Sequence, residues 1–223
     1  GNAAGTEVRP GAVPPCVVHE EEELLVVNKP PGWNTHAPAP HAGEGIYDWL
    51  KHREPRWERL AIVHRLDKDT SGLLVFGKTV EANRSLTAQF TAREVHKRYT
   101  LVTDRPVPRD EFTVLSAIVR TGDRYESRPG AAGGEQAETH FRVLRREEGR
   151  TWLEAEPVTG RTHQIRVHAS AEGLPILGEP LYGGSPARRL HLHATSLEFR
   201  HPRSGDPVRF TASPDFDSPP ARQ

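Results

Sequence analysis

Four charged side chains crowd into five consecutive positions at Arg65, Leu66, Asp67, Lys68 and Asp69. They lie between two short apolar runs, Ala61 to Val63 and Leu73 to Phe76, which read as buried strands closed by Gly and polar clusters. A loop held by two core strands is a rigid platform, and such loops often carry chemistry. The alternative is that Asp67 and Asp69 are turn residues bonding their own backbone near Gly72. A second dense stretch runs from Pro157 to His168 as Pro-Val-Thr-Gly-Arg-Thr-His-Gln-Ile-Arg-Val-His. Arg161 and Arg166 fall at its turn-to-helix junction, where guanidinium groups and free backbone N–H donors together suit an anion. The alternative there is an ordinary helix start with solvated arginines.

Other chemistries lack their residues. The chain has no CxxC pair, no glycine-rich phosphate loop and no nucleophile elbow. His191 and His193 alternate and so share a strand face, whereas His163 and His168, five apart, do not lie together on a helix. Neither pair comes with an HExxH pattern, and a metal cluster needs three or four converging ligands. No metal site is expected.

The positioning elements follow from periodicity. Leu24 to Lys29 reads as a strand closed by Pro30-Pro31-Gly32. Glu20 to Glu23 reads as a solvated loop before it, and Trp33 to Gly45 as a long polar rim loop. Ile46, Trp49 and Leu50 have helical spacing, so Trp49 is a core residue rather than a stacking platform. Thr79 caps a helix to about Arg93, with Leu86 and Phe90 on its inner face. Lys97 to Thr103 is a strand with Tyr99, Leu101 and Thr103 on one face. Phe112 to Arg120 is another, and Gly122 to Ala137 an exposed loop. Thr139 to Leu144 and Trp152 to Pro157 pair through a turn at Glu147-Glu148-Gly149. Thr162 to Ala171 is a short helix; Leu190 to Ala194, Leu197 to Phe199 and Val208 to Phe210 are strand-like. Strands outnumber helices and follow one another through hairpin-length turns. The expected fold is α+β, a single domain over residues 16–212 with a mixed, mostly antiparallel β-sheet flanked by helices and loops. Residues 1–15 read as a disordered arm and 213–223 as a flexible tail.

The 223 residues suffice for a sizeable core, and a single cysteine, Cys16, excludes an internal disulfide and fits a reducing, cytoplasmic setting. No apolar run approaches the roughly 18 residues of a membrane span, and no signal peptide is visible. The chain has no Met and begins at Gly1, so its first residue is not read as the natural N-terminus. Thirty basic and thirty acidic residues balance, which does not announce a nucleic-acid binder. Arg outnumbers Lys by 25 to 5, a bias that suits phosphate recognition and equally a GC-rich genome.

The stretch Val63-His64-Arg65-Leu66-Asp67-Lys68-Asp69-Thr70-Ser71-Gly72-Leu73-Leu74-Val75 resembles the signature of the RluA-type pseudouridine synthases. The companion segments come in order: Val26 to Gly32, Lys97-Arg98-Tyr99, Gly134 to Thr139, Thr159 to His168, Gly173 to Glu179, and Leu192 to Pro202. The resemblance spans about Val18 to Phe210. Glu179 stands where the family usually has Asp and Gln136 where it often has Lys; both are read as outside the central chemistry. Asn34 to Gly45 is not family-typical, and the S4 RNA-binding domain that some relatives carry is not expected within these 223 residues.

The resemblance implies isomerisation of uridine to pseudouridine in structured RNA, ribosomal or transfer RNA, without a cofactor; the protein is expected to be a monomer. It implies Asp67 as nucleophile, kept ionised by a salt bridge to Arg166, with Asp69 left to the turn. Tyr99 would stack on the uracil and assist proton removal from C5, although its ordinary pKa near ~10 suits stacking better. Arg65 would fill the gap left by the flipped nucleotide. His64, Arg161 and Ile165 complete the substrate-binding set, and loop residues Arg124, Arg128, Arg188 and Arg189 could meet phosphates. The alternatives are an RNA-binding or RNA-chaperone module with little catalysis and a His-dependent metal hydrolase.

Overall fold

Leu24-Leu25-Val26-Val27 and Leu73-Leu74-Val75-Phe76 have no polar residue to turn toward water. In the computed structural model, which describes residues 16–36, 45–130 and 133–217, none of these eight exceeds 1% exposure. Unbroken runs of this kind suit strands covered on both faces. The arm expected at 1–15 and most of the rim loop, residues 37–44, lie outside the described residues. The chain divides into two compact units, Gly1–Val95 with Glu198–Ala212, and His96–Leu197 with Ser213–Gln223.

In the first unit β1 (Val17–Glu20) pairs antiparallel with β2 (Leu24–Lys29). Helix α1 (Ile46–Arg53) buries Ile46, Trp49 and Leu50, as their spacing requires. The short β3 (Ala61–Ile62) and β2 both pair antiparallel with β4 (Ser71–Gly77), placing Leu25 opposite Phe76 and Val27 opposite Leu74. Helix α2 (Val80–Thr91) starts where Thr79 Oγ1 accepts the Ala82 N–H at 3.1 Å.

The acidic run is not a solvated loop. Glu20 accepts from Arg56 Nε at 2.8 Å, Trp57 Nε1 at 2.7 Å and Lys78 Nζ at 2.9 Å. The Arg56 hydrogen bond, more than any other partner, holds the Glu20 carboxyl down to about 2. Glu21 meets His201 Nε2 at 2.6 Å, and Glu23 accepts from Thr79 Oγ1 and Arg203. Glu22 stays exposed, but Glu20, Glu21 and Glu23 look solvent-bound in sequence only because their partners are 36 to 180 positions away.

The second unit begins with β5 (His96–Thr103), followed by β6 (Glu111–Thr121), β7 (Arg124–Arg128), β8 (Glu135–Glu147) and β9 (Arg150–Pro157). Antiparallel ladders give the order β5-β9-β8-β6-β7. The stretch expected to be an exposed loop thus holds β7 and the start of β8. Gly122, at φ +70°, and Asp123 make a two-residue hairpin turn that glycine allows. β7 reads Arg-Tyr-Glu-Ser-Arg, a charged edge strand with no apolar pattern to betray it. At the β8–β9 turn Glu148 and Gly149 both take positive φ, the geometry of a tight hairpin. Helix α3 (Gln164–Ala171) starts two residues later than expected. β10 (Leu192–Arg200) is one strand where two short ones were expected, and it pairs with β11 (Pro207–Thr211). In the tail, Phe216 packs against Val102, Trp152 and Leu177, so residue 216 is anchored rather than frayed.

Eleven strands and three α-helices among the described residues, with antiparallel ladders throughout β1 to β9, make the class α+β with a mostly antiparallel sheet. No helix among them is long and apolar enough to cross a membrane.

Candidate active site

The charge-dense loop of the first unit joins β3 to β4 and is held at every turn. His64 accepts the Val75 N–H at Nε2, 3.0 Å away, and stacks on Phe90 with ring centres 4.5 Å apart. Leu66 is pinned twice by one hydroxyl: Thr35 Oγ1 accepts from Leu66 N at 3.0 Å and donates to Leu66 O at 2.9 Å. Lys29, at the end of β2, is wholly buried. Its ammonium donates to the carbonyls of Pro30 (3.0 Å), Trp33 (2.7 Å) and Lys68 (2.9 Å). The Lys68 carbonyl also accepts the Gly32 N–H at 2.8 Å, and Thr70 N–H closes the turn onto the Asp67 carbonyl at 3.1 Å. Lys68 and Asp69 are the central residues of that turn. Within this frame Asp67 is half-buried and Arg65 exposed.

Burying an ammonium is costly unless its donors are met. Lys29 meets that requirement with main-chain oxygens from two segments, 39 residues apart. The loop before α1 and the Asp67 loop are thereby tied to one cation.

The second unit presents its charge from α3. Gln164, buried at the start of the helix, is the joint. Its Oε1 accepts from Thr159 Oγ1 at 2.6 Å and Arg161 N at 3.0 Å; its Nε2 donates to Glu138 O and Thr139 Oγ1, both at 2.9 Å. Thr159 Oγ1 in turn accepts the Glu138 N–H at 3.0 Å. This network locks residues 159–164 onto β8. His163 enters the helix with φ +55°, a left-handed conformation held by Tyr182, whose hydroxyl lies 2.7 Å from His163 Nδ1.

Arg166 is 5% exposed and its guanidinium is gripped from the side. Nε and Nη2 donate to the two carboxylate oxygens of Glu179, each at 2.7 Å, in a fork-on-fork pair. Glu179 is as buried as its partner, and its Oε1 also takes the Leu181 N–H at 3.1 Å. The Tyr182 ring lies under the guanidinium, 5.5 Å from Cζ. Glu179, read from the sequence as lying outside the central chemistry, is the residue that holds the Arg166 side chain. Loss of either charge would strand the other in a low-dielectric interior.

The remaining residues of this unit have partners of their own. Ile165 is 7% exposed and Tyr99, on β5 opposite Ala155, is 9% exposed. Arg161 is tied to β8 through Gln136 O at 3.0 Å and Glu135 at 2.6 Å. His168 is fully buried between Ser116 Oγ at 3.0 Å and Thr139 Oγ1 at 2.8 Å, and burial pushes its pKa down to about 4. Among the described residues no three His, Cys, Asp or Glu gather where a metal could be held.

The structure thus sets His64, Arg65 and Asp67 on one braced loop of the first unit. It sets Ile165 and Arg166 on the first turn of α3, Arg161 just before that helix, and Tyr99 on β5, in the second. Lys29, Thr35, Gln164 and Tyr182 were not singled out from sequence, and Glu179 was noted only as a departure from the family pattern. Lys29, Gln164 and Glu179 stood within segments that resemble the family pattern, and for Lys29 and Gln164 that placement was the only sequence signal.

A family model described as RNA pseudouridylate synthase matches residues 23–171. The chain belongs to the RNA pseudouridylate synthase family. Ribosomal large subunit pseudouridine synthase D of Xanthomonas campestris is 36% identical, over 93% of this chain and 68% of its own. Ribosomal large subunit pseudouridine synthase C of Yersinia pestis is also 36% identical, over 92% and 67%. Among solved structures, human RNA pseudouridylate synthase domain containing 1 superposes with a TM-score of 0.77 at 26% identity, over 94% of this chain and 87% of its own. Human RNA pseudouridylate synthase domain containing 4 gives 0.73 at 26% identity, over 90% and 89%. The synthase isomerises uridine to pseudouridine in RNA, and a binding module without catalysis is not favoured.

Proposed function

We propose that Asp67 is the nucleophile of this isomerisation, that Arg166 supplies its fixed positive charge, and that the substrate is a uridine in folded ribosomal RNA. In the reaction the N1–C1′ bond breaks, the uracil turns and C5 bonds to C1′. The proton lost from C5 is matched by one gained at N1, and nothing is oxidised or hydrolysed. A carboxylate nucleophile serves such glycosyl chemistry by holding C1′ while the base turns.

The observation that carries the reading is the bracing of residues 64–70. Lys29 and Thr35 fix the main chain on both sides of Asp67 and leave its carboxylate half-buried. Precise placement of a reacting group lowers the barrier by removing the entropy of finding it. The Lys29 ammonium, bonded one residue from Asp67, also puts a positive charge beside the loop that carries the carboxylate.

The base has to leave its stack to reach such a group. Arg65 is exposed and two residues from Asp67, which suits a side chain that fills the vacated gap. His64 contributes by fixing where Arg65 starts, since its ring is engaged with Val75 and Phe90. Tyr99 stacks on the uracil, Ile165 offers it an apolar contact and Arg161 adds charge beside α3. Ribosomal RNA is favoured over transfer RNA because the curated relatives cited above are named for the ribosomal large subunit. The protein works as a monomer in the cytoplasm, a setting in which the free thiol of Cys16, pushed up to about 11 by burial, stays reduced.

The test is Asp67→Ala with two readouts. Pseudouridine formation should vanish while circular dichroism stays native, and RNA carrying 5-fluorouridine should give an altered or covalent product with the wild type alone. Retained activity would remove Asp67 from its role. Mapping pseudouridines in cells with and without the protein should show a missing site in ribosomal RNA; a site missing only from transfer RNA would overturn the substrate.

A further inference from the structure

Away from Arg166, the second unit has a cavity of about 270 Å³, enclosed by the start of β9, the segment 186–191 and residues 215–216. Its polar lining carries three guanidiniums, Arg150, Arg188 and Arg189, and the His191 ring. The one acid among its lining residues, Asp215, is already taken by Arg189 Nη1 at 2.7 Å. Arg189 is further fixed by its Nε bond to Leu190 O at 2.9 Å and by the Phe216 ring, 5.1 Å from Cζ. Arg150 and Arg188 are exposed and have no carboxylate partner among the described residues.

His191 senses the resulting field. Its Nδ1 lies 2.9 Å from the Arg189 carbonyl, which makes Nδ1 the donor and keeps the proton there. Burial pushes its pKa down, and the charges of Arg189 and Arg150 push in the same direction. Three guanidiniums around one cavity repel each other, and one carboxylate does not balance them. None of the roles proposed for Asp67, Tyr99 or Arg166 uses this place.

The cavity is nevertheless wired to Arg166. Its wall residue Leu177 donates to Val102 O at 2.8 Å and accepts the His191 N–H at 2.9 Å. Two residues further on, Glu179 grips Arg166. Gly178 between them is pressed so closely on the Arg189 carbonyl that no Cβ would fit. The segment 177–191 therefore lines the cavity at both ends and carries the Arg166 clamp between them.

We propose that this cavity binds a backbone phosphate of the substrate RNA, with the guanidiniums of Arg150 and Arg188 as its charged donors. Arginine forks match phosphate oxygens in geometry as well as charge, and phosphate contacts fix register on a nucleic acid without reading its sequence. The proposal rests on the reading of ribosomal RNA as substrate. It adds a second anchor that holds the RNA while the target base is turned elsewhere.

The experiment measures binding of a labelled oligouridylate to the full chain across a range of salt concentrations. It compares the wild type, Arg150→Gln, Arg188→Gln and the double variant with Arg84→Gln, which removes an exposed charge from α2. Each cavity variant should weaken binding about tenfold, as expected for removing one charge-assisted hydrogen bond. The double variant should flatten the dependence of log affinity on log salt by about 0.7 for each phosphate that is no longer neutralised. Arg84→Gln should change affinity less than about twofold. Equal affinity and equal salt slope in the double variant and the wild type overturn the proposal. Inorganic phosphate is titrated against the His191 ring resonance as a second arm. If phosphate shifts that resonance while RNA affinity is the same in every variant, the cavity takes free phosphate and the RNA assignment is wrong. Pseudouridine formation by the wild type is read in the same preparation. Its failure counts against the nucleophile and substrate, whereas the binding data decide the cavity either way.

Discussion

Asp67 and Arg166 have opposite charges, and each rests on a buried group of opposite sign within its own unit, but the two are held differently. Lys29 binds main-chain oxygens of the loop that carries Asp67. Glu179 takes hold of the Arg166 side chain itself, with both carboxylate oxygens. The difference fits what each group is asked to do. In the role proposed for it Asp67 has to react, and what Lys29 and Thr35 fix is the backbone that carries it. An arginine that supplies charge never changes state, so fixing its planar head costs the chemistry nothing.

The contrast breaks most sharply in activity. Asp67→Asn should lower the rate of product formation by about 10⁴-fold or more, a barrier increase of about 5 kcal/mol, while the urea midpoint stays near the wild-type value. Glu179→Gln should do the reverse in emphasis. It leaves a buried guanidinium without its counter-charge, so unfolding free energy should fall by about 3–5 kcal/mol. Glu179→Asp keeps the negative charge and should retain most of the wild-type stability. A Gln variant as stable as the wild type would show that the clamp is not what holds Arg166.

Lys29→Met keeps the volume and removes the cation. Three carbonyls lose a charged donor, and a fall of about 3 kcal/mol in stability is expected. Activity should fall further than stability explains, because the loop around Asp67 is loosened; unaltered kinetics in a folded Met variant would remove the link between Lys29 and the nucleophile.

Acid should separate the two units. The buried His168 has its pKa pushed down to about 4 from the ordinary 6.5. Between those values the unfolded chain binds the proton that the folded one refuses, so the stability that this histidine contributes is whole above 6.5 and lost as pH falls toward 4. In the first unit Glu20 is held down to about 2 from 4.5, and its contribution is lost only in that lower window. Hydrogen exchange followed from pH 7 downward should show protection around β6, β8 and α3 weakening before that around β1 and β4; simultaneous loss would contradict it. The smallest effect expected is that of Thr35→Val, which removes both hydrogen bonds to Leu66 at constant shape and should cost about 1–2 kcal/mol by urea titration.

Local pattern carried much of this molecule. The apolar runs around β2 and β4, the Thr79 cap of α2 and the spacing of Ile46, Trp49 and Leu50 were legible because each depends on neighbours within a few positions. β7 was not legible, since an edge strand of charged residues has no apolar face to reveal it. The acids at 20–23 misled for a related reason: a carboxylate in water and a carboxylate held by Arg56 look the same in a row of letters.

By itself the sequence determined the class of fold, the order of the family segments and the two places where charge gathers. Each of these is written in residue type and in periods of 2 or 3.6, which the chain carries without knowing its final shape. Only the tertiary structure decided that Lys29 braces the Asp67 loop, that Glu179 grips Arg166 and that Arg150 and Arg188 border one cavity. Those pairings join residues 13 to 39 positions apart, and the cost of burying a charge makes the first two obligatory once the fold brings the groups together.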